Sequence, residues 1–158
     1  MKITFTDHRP DRKTLRDFEN IFEKELRLSA KDKLALLSGG VAYWMMVDGE
    51  YAGEIYGKEV GLIDEVIPDC TRPNDFYVYS VALFPKFQGK GLSRIFFAYY
   101  LGSVNEHNPK QRIIWHATSE GMTKLSDSFG ARFGKTHKNW FDSGRDATFR
   151  YLPAWRRL

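Results

Sequence analysis

A chain of 158 residues, 42% hydrophobic and 15% aromatic, is long enough to bury one core and needs no covalent staples. Its one cysteine, Cys70, excludes an internal disulfide and fits a reducing cytoplasm, MKITFTDHRPDRK lacks the apolar stretch of a signal peptide, and the run IFFAYYL (95–101) is far too short to span a bilayer. The net charge of +4 is uneven: residues 131–158 hold seven Lys/Arg against two Asp/Glu, and residues 50–75 hold seven acids against two bases. Such blocks are either solvated surfaces, or an acidic face for a cationic substrate and a basic face for a phosphate-rich partner.

In chain order, KITFT (2–6) alternates as a strand does. Asp11 is placed to cap a helix whose apolar stripe is Leu15, Phe18, Phe22 and Leu26. A second short helix is predicted at about 31–38, stopped by Gly39-Gly40. VAYWMMV (41–47) and YAGEIYG (51–57) form a hairpin around Asp48-Gly49. Residues 58–75 are longer than an ordinary connection, so they are a functional loop or hide a short element. FYVYSVALF (76–84) is a strand stopped by Pro85, and LSRIFFAYYLGSV (92–104) a helix. RIIWHAT (112–118) is a strand reached by a parallel crossover, and GMTKLSDSF (121–129) a helix ending at Gly130. Two final strands, near 132–140 and 147–152, meet around Asp142-Ser143-Gly144. The order is β-α-α-β-β-β-α-β-α-β-β.

The chemistry-bearing stretch is LFPKFQGKGLSRI (83–95). A Walker A loop fails on it, because Lys90 lies between the two glycines, and a dinucleotide fingerprint fails because Arg94 stands where the third glycine belongs. What survives is a strand, a short turn with Gly89 and Gly91, and the start of a helix. A helix N-terminus offers unpaired N–H groups and a positive dipole end, and glycines let an anion approach the backbone. The segment is therefore a phosphate or pyrophosphate site or a plain strand-to-helix turn.

The same residues resemble motif A of the GCN5-related N-acetyltransferase (GNAT) superfamily, V-x-P-x-x-[QR]-x-x-G-x-[GA]. Leu83 falls at the valine, Pro85 at the proline, Gln88 at the Gln/Arg and Gly91 at the glycine; Ser93 replaces the final Gly or Ala. VDGEYAGEI (47–55) resembles the family's hairpin, hydrophobic-D-G-x-x-x-G, and KLSDSFGARF (124–133) resembles its late helix and exit, L-Y-x-x-x-G-F. With the element order, the resemblance covers nearly the whole chain. It implies a single α+β (α/β) domain over 1–158, a mixed, mostly antiparallel six- to seven-stranded sheet with helices on both faces.

The resemblance also implies transfer of an acetyl group from acetyl-CoA to a primary amine (a small amine, a polyamine or a protein amine) by direct attack in a ternary complex, without a metal. Backbone groups of Gln88, Gly89, Lys90, Gly91, Leu92 and Ser93 would hold the coenzyme pyrophosphate. Those of Val81, Ala82 and Leu83 would pair with the pantetheine arm, and the Leu83 amide would polarise the thioester carbonyl. Lys90 is a further phosphate contact or a solvated turn lysine. Ser119 falls where the family often has an Asn, and equally suits an N-cap.

An alkyl amine with a pKa near 10 is roughly 0.1% neutral at pH 7, so a proton acceptor is required. The family's usual base positions on the fourth strand fall on Tyr77 and Tyr79, which share a strand face, and its late-helix tyrosine acid falls on Ser126. Neither tyrosine is a good base, and a serine is a poor acid. Glu54, Asp64 and Glu65 are further base candidates against a solvated acidic surface. The histidines at 8, 107, 116 and 137 show no metal-ligand spacing, and His116 is expected simply to pack. The acidic segment favours a cationic acceptor, and the chain is expected as a monomer or homodimer away from membranes. Two alternatives stand beside this reading. One is an acyl-CoA-binding module with little catalysis. The other is a GNAT acting on nucleic acid or a nucleic-acid-bound protein, suggested by Trp140, Tyr151 and Trp155 among the C-terminal basic residues.

Overall fold

The structure, a computed structural model, describes residues 1–26, 39–64 and 66–154. They form strands β1 (Ile3–Thr6), β2 (Val41–Val47), β3 (Glu50–Glu59), β4 (Phe76–Leu83), β5 (Ile113–Ala117), β6 (Arg132–His137) and β7 (Ala147–Leu152), with helices α1 (Arg12–Leu26), α2 (Leu92–His107) and α3 (Glu120–Ser128). The seven strands make one sheet, ordered β1-β2-β3-β4-β5-β7-β6. β1–β2, β2–β3, β5–β7 and β6–β7 pair antiparallel, and β4 pairs with β5 in parallel. The helix predicted at 31–38 lies outside the described residues; the other elements follow in the expected order. No helix among the described residues is long and apolar enough to cross a membrane.

The chain divides into two compact units. The first comprises 1–58 and 80–100. Its α1 starts where expected, with the Thr14 amide donating to Asp11 Oδ1 at 2.8 Å. Phe18 and Phe22 on the apolar stripe pack with Trp44 of β2 and Ala82 of β4. The β2–β3 turn uses Asp48 and Gly49 at φ 50° and 82°, the left-handed pair that matches strand twist. β3 is buried continuously from Ala52 to Lys58, so both of its faces are covered and Glu54 is buried rather than solvated. Gly53 is required by proximity: a Cβ there would strike the Ala82 carbonyl oxygen and lie 2.8 Å from Leu83 Cα. The Phe84 amide donates to Ala52 O at 2.8 Å and fixes where β4 gives way to the motif turn.

The second unit comprises 59–79 and 101–158. β4 and β5 pair in parallel at only two positions, Phe76 with Ile113 and Tyr77 with Ile114. That short ladder is clamped at its start by a fork: Arg112 Nε donates to both Asp75 oxygens at 3.1 Å, and Nη2 donates to Oδ2. The long segment before β4 hides one short turn, Val60–Leu62. β6 ends at His137, three residues before its predicted end, because Asn139, Phe141 and Asp142 adopt left-handed φ values of 47°, 46° and 59° that cannot continue a strand.

Gly53→Ala is expected to destabilise the protein by roughly 1–3 kcal/mol through overpacking against Ala82 and Leu83. Urea unfolding of the variant beside the wild type measures it.

Candidate active site

The turn after β4 is built by local constraints. Pro85–Phe87 make a single tight helical turn, and buried Phe87 anchors it. Gln88 Nε2 donates to Leu83 O at 2.9 Å, folding the side chain back onto the strand end. Gly89 and Gly91 both have φ 74°, which L-residues rarely adopt, while a Cβ at either would meet nothing within 4 Å. The dihedrals demand glycine, and the backbone there is open to an approaching group. Leu92 is buried and starts α2, whereas Gly89, Lys90 and Gly91 are exposed. An exposed turn of this kind in front of a helix N-terminus offers backbone N–H groups to an anion.

The second unit gathers a different set. Tyr77 Oη lies 2.8 Å from His116 Nδ1, and His116 Nε2 lies 3.1 Å from Asp69 Oδ2. The same Asp69 oxygen lies 2.5 Å from His137 Nε2. Asp69 reaches both rings from a turn in the long segment before β4, at φ 66°, a conformation aspartate tolerates better than most residues. The Trp140 ring lies 4.4 Å from His116 and 5.1 Å from His137, covering both imidazoles. Phe149 of β7 packs on His116 at 5.4 Å.

These contacts set protonation. Burial pushes the Asp69 carboxyl up, but hydrogen bonds from His137 and His116 outweigh it and hold the group below its usual range. Burial pushes the His116 imidazole below its ordinary value, and Asp69 only partly opposes this. A neutral His116 facing a carboxylate through Nε2 carries its proton there, since the carboxylate can only accept. Nδ1 then presents a lone pair, and the Tyr77 hydroxyl donates to it.

The donor atoms of Asp69, His116 and His137 lie within 4.8 Å of one another, a set whose types can hold a metal. Asp69 Oδ2 contacts both imidazoles directly, at 3.1 Å from His116 Nε2 and 2.5 Å from His137 Nε2. The lone thiol is no nucleophile, because burial, with Asp69 and Asp75 nearby, pushes Cys70 up to about 12.

No protein-family model and no curated protein matches this sequence. Solved structures do match. A Bacillus subtilis acetyltransferase in complex with CoA is similar at TM-score 0.74 and 17% identity, covering 96% of this chain and 99% of that one. A GNAT family acetyltransferase from Elizabethkingia anophelis with acetyl-CoA bound is similar at TM-score 0.68 and 16% identity, over 96% and 97%. The ribosomal-protein-S18-alanine N-acetyltransferase from Escherichia coli follows at TM-score 0.69 and 14% identity, over 99% and 97%. The chain has the GNAT fold. At these identities the likeness is one of fold, so its chemistry has to be argued from its own side chains.

On this GNAT fold the sequence-predicted residues fall as follows. Tyr77 and Tyr79 come together, ring centroids 4.9 Å apart. Ser126 is fully buried on α3; its Oγ accepts from Trp115 Nε1 at 2.9 Å and donates to Met122 O at 2.7 Å. Its proton is committed to the helix backbone, which removes the reason to cast it as an acid. Ser119 caps α3, accepting from the Met122 amide at 3.0 Å. Asp64 is exposed, and Glu65 lies outside the described residues. The acidic segment is not one open face. Glu54 and Asp75 are buried, Glu50 pairs with Lys86, and Asp69 is held by two histidines.

The residues that sequence reasoning missed are Asp69, His116 and His137. His116, expected merely to pack, bonds through both ring nitrogens. The only sequence signal was its place on a strand two residues from the parallel pair.

Ser126→Ala is expected to cost roughly 1–3 kcal/mol, because the buried Trp115 N–H loses its acceptor. Urea unfolding followed by tryptophan fluorescence measures it.

Proposed function

We propose that this protein transfers an acetyl group from acetyl-CoA to a primary amine, with Tyr77 and His116 as the proton relay. The observation that carries the reading is the Tyr77–His116–Asp69 chain, with steps of 2.8 and 3.1 Å. Asp69 orients a neutral imidazole and stabilises the imidazolium that forms when it takes a proton, as a carboxylate does behind any histidine base. Tyr77 is too weakly acidic to be a base alone. Its hydroxyl instead hands its proton to His116 Nδ1 while its oxygen accepts one from the amine, directly or through a water.

Acetyl-CoA supplies an activated thioester. The amides of the turn from Gln88 to Ser93 would hold its pyrophosphate, with Lys90 exposed beside them. Backbone groups of Val81, Ala82 and Leu83 on β4 would pair with the pantetheine arm. Gln88 holds the Leu83 carbonyl, which orients that end of the strand for an amide to polarise the thioester. The acceptor is a primary amine; among the acids of residues 50–75, Glu54 and Asp75 are buried, Glu50 and Asp69 are paired, and Asp64 stays exposed to a cationic one. The Escherichia coli protein of this fold, by its name, acetylates an alanine of a ribosomal protein, which supports including peptide N-termini among the acceptors tested.

Thiol release from acetyl-CoA, measured over small amines, polyamines and peptides, tests the reading. Turnover with at least one class is expected. With that acceptor, His116→Ala is expected to lower kcat by about 10²–10⁴-fold and leave the KM for acetyl-CoA unchanged. Acetyl-CoA binding without turnover in any class would instead mark a binding module.

The pH dependence has a defined sign. The groups facing His116 are Asp69 before β4, Tyr77 on β4 and His137 on β6; Asp69 raises its pKa, while burial and His137 lower it. Activity should therefore fall with falling pH only below the ordinary histidine range near pH 6.5. Asp69→Asn removes the raising influence, so the acid limb of kcat/KM should move to lower pH while kcat falls. Comparing the two profiles with one acceptor cancels the acceptor's own ionisation. An unmoved limb would show that His116 is not the group being titrated.

A further inference from the structure

One charged feature of the second unit is left unexplained by acetyl transfer. At the start of β4 and β5 a cleft of about 380 Å³ is lined by Arg72, Lys110, Arg112, Arg132, Asp75 and Tyr151, among others. Four cations face it against one carboxylate, and that carboxylate is already spent: Asp75 is buried and forked to Arg112. Arg72, Lys110 and Arg132 are exposed, and among the described residues none has an ion-pair partner. Like charges gathered around one concavity repel, and the repulsion is relieved only by counter-ions or by an anionic ligand.

Arg112 is the built part of the site. The Asp75 fork fixes its guanidinium through Nε and Nη2, which leaves the Nη1 donors, and the Tyr151 ring lies 5.1 Å from it. A planar guanidinium held in one orientation suits phosphate oxygens, and the mobile Lys110 amine adds a point charge beside it. The volume is in the range of small-ligand sites and exceeds what one phosphate needs.

We propose that this cleft is a second binding site, taking the phosphate chain of a di- or triphosphate. It is not the motif turn, because no residue from Gln88 to Ser93 lines it. The inference does not depend on the acetyl-transfer reading, because it is tested by binding alone. Two sources share this chemistry, an inorganic polyphosphate and a nucleoside triphosphate.

Calorimetry on the full chain with inorganic tripolyphosphate, ATP and a single-stranded RNA tests it, using wild type, Arg132→Ala, Lys110→Ala and, in the motif turn, Lys90→Ala. All three positions are exposed, and matching thermal melts confirm that each variant is folded. Tripolyphosphate is expected to bind, more weakly as salt rises, with about tenfold loss in Arg132→Ala and in Lys110→Ala and none in Lys90→Ala. ATP matching tripolyphosphate would mean that the chain of phosphates alone is read, and tighter ATP would identify the nucleotide as the source; either supports the site. Absent binding of both, binding indifferent to Arg132 and Lys110, or binding of RNA alone would overturn it.

Discussion

The proposed chemistry of this protein turns on one carboxylate. Asp69 accepts from two imidazoles at once, and its contact with His116 Nε2 decides the tautomer of that ring. With the Nε2 proton committed, Nδ1 is left as the lone pair that meets the Tyr77 hydroxyl. Burial keeps the imidazole neutral, and the paired histidines keep the carboxylate ionised. A neutral base beside a fixed anion is what proton abstraction from an amine requires. The left-handed turn at Asp69 and the Trp140 lid over both rings hold this arrangement without any charged group reaching solvent through His116, whose side chain is only 1% exposed.

In the other unit the governing constraint is steric. Gly53 lets the β3 backbone approach Ala82 and Leu83, which sets the end of β4; the Phe84 amide and the Gln88 side chain then define the turn. Gly89 and Gly91 supply dihedrals that leave the backbone open in front of α2. Two glycine roles, close approach at 53 and left-handed φ at 89 and 91, thus shape one strand-to-helix turn.

The fold was legible because its signals are local. Strand alternation, the Asp48-Gly49 turn, the Asp11 cap and the Pro85 stop each act within a few residues, and each is met. The strand predicted to residue 140 ended at His137 because three non-glycine residues take left-handed conformations that no composition signal announces. The motif turn was legible for the same local reason. The relay was not, because Asp69, His116 and His137 are far apart in sequence and meet only through the crossover and the β6–β7 pairing. The base positions inherited from the family pattern pointed to Tyr77 but not to the group that makes its hydroxyl useful. Charge blocks misled for a related reason: residues 50–75 look like one acidic face, yet Glu54, Asp69 and Asp75 each turn inward to separate partners or burial.

The central claim is that His116 is a neutral, Nε2-protonated imidazole held by Asp69, with Nδ1 open to Tyr77. Nitrogen-15 NMR of the histidine side chains, assigned through a His116 variant and followed through a pH titration, reads tautomer and pKa together. The account predicts the Nε2–H tautomer and a midpoint below the ordinary histidine value. An Nδ1–H tautomer, or a midpoint at or above that value, would contradict it.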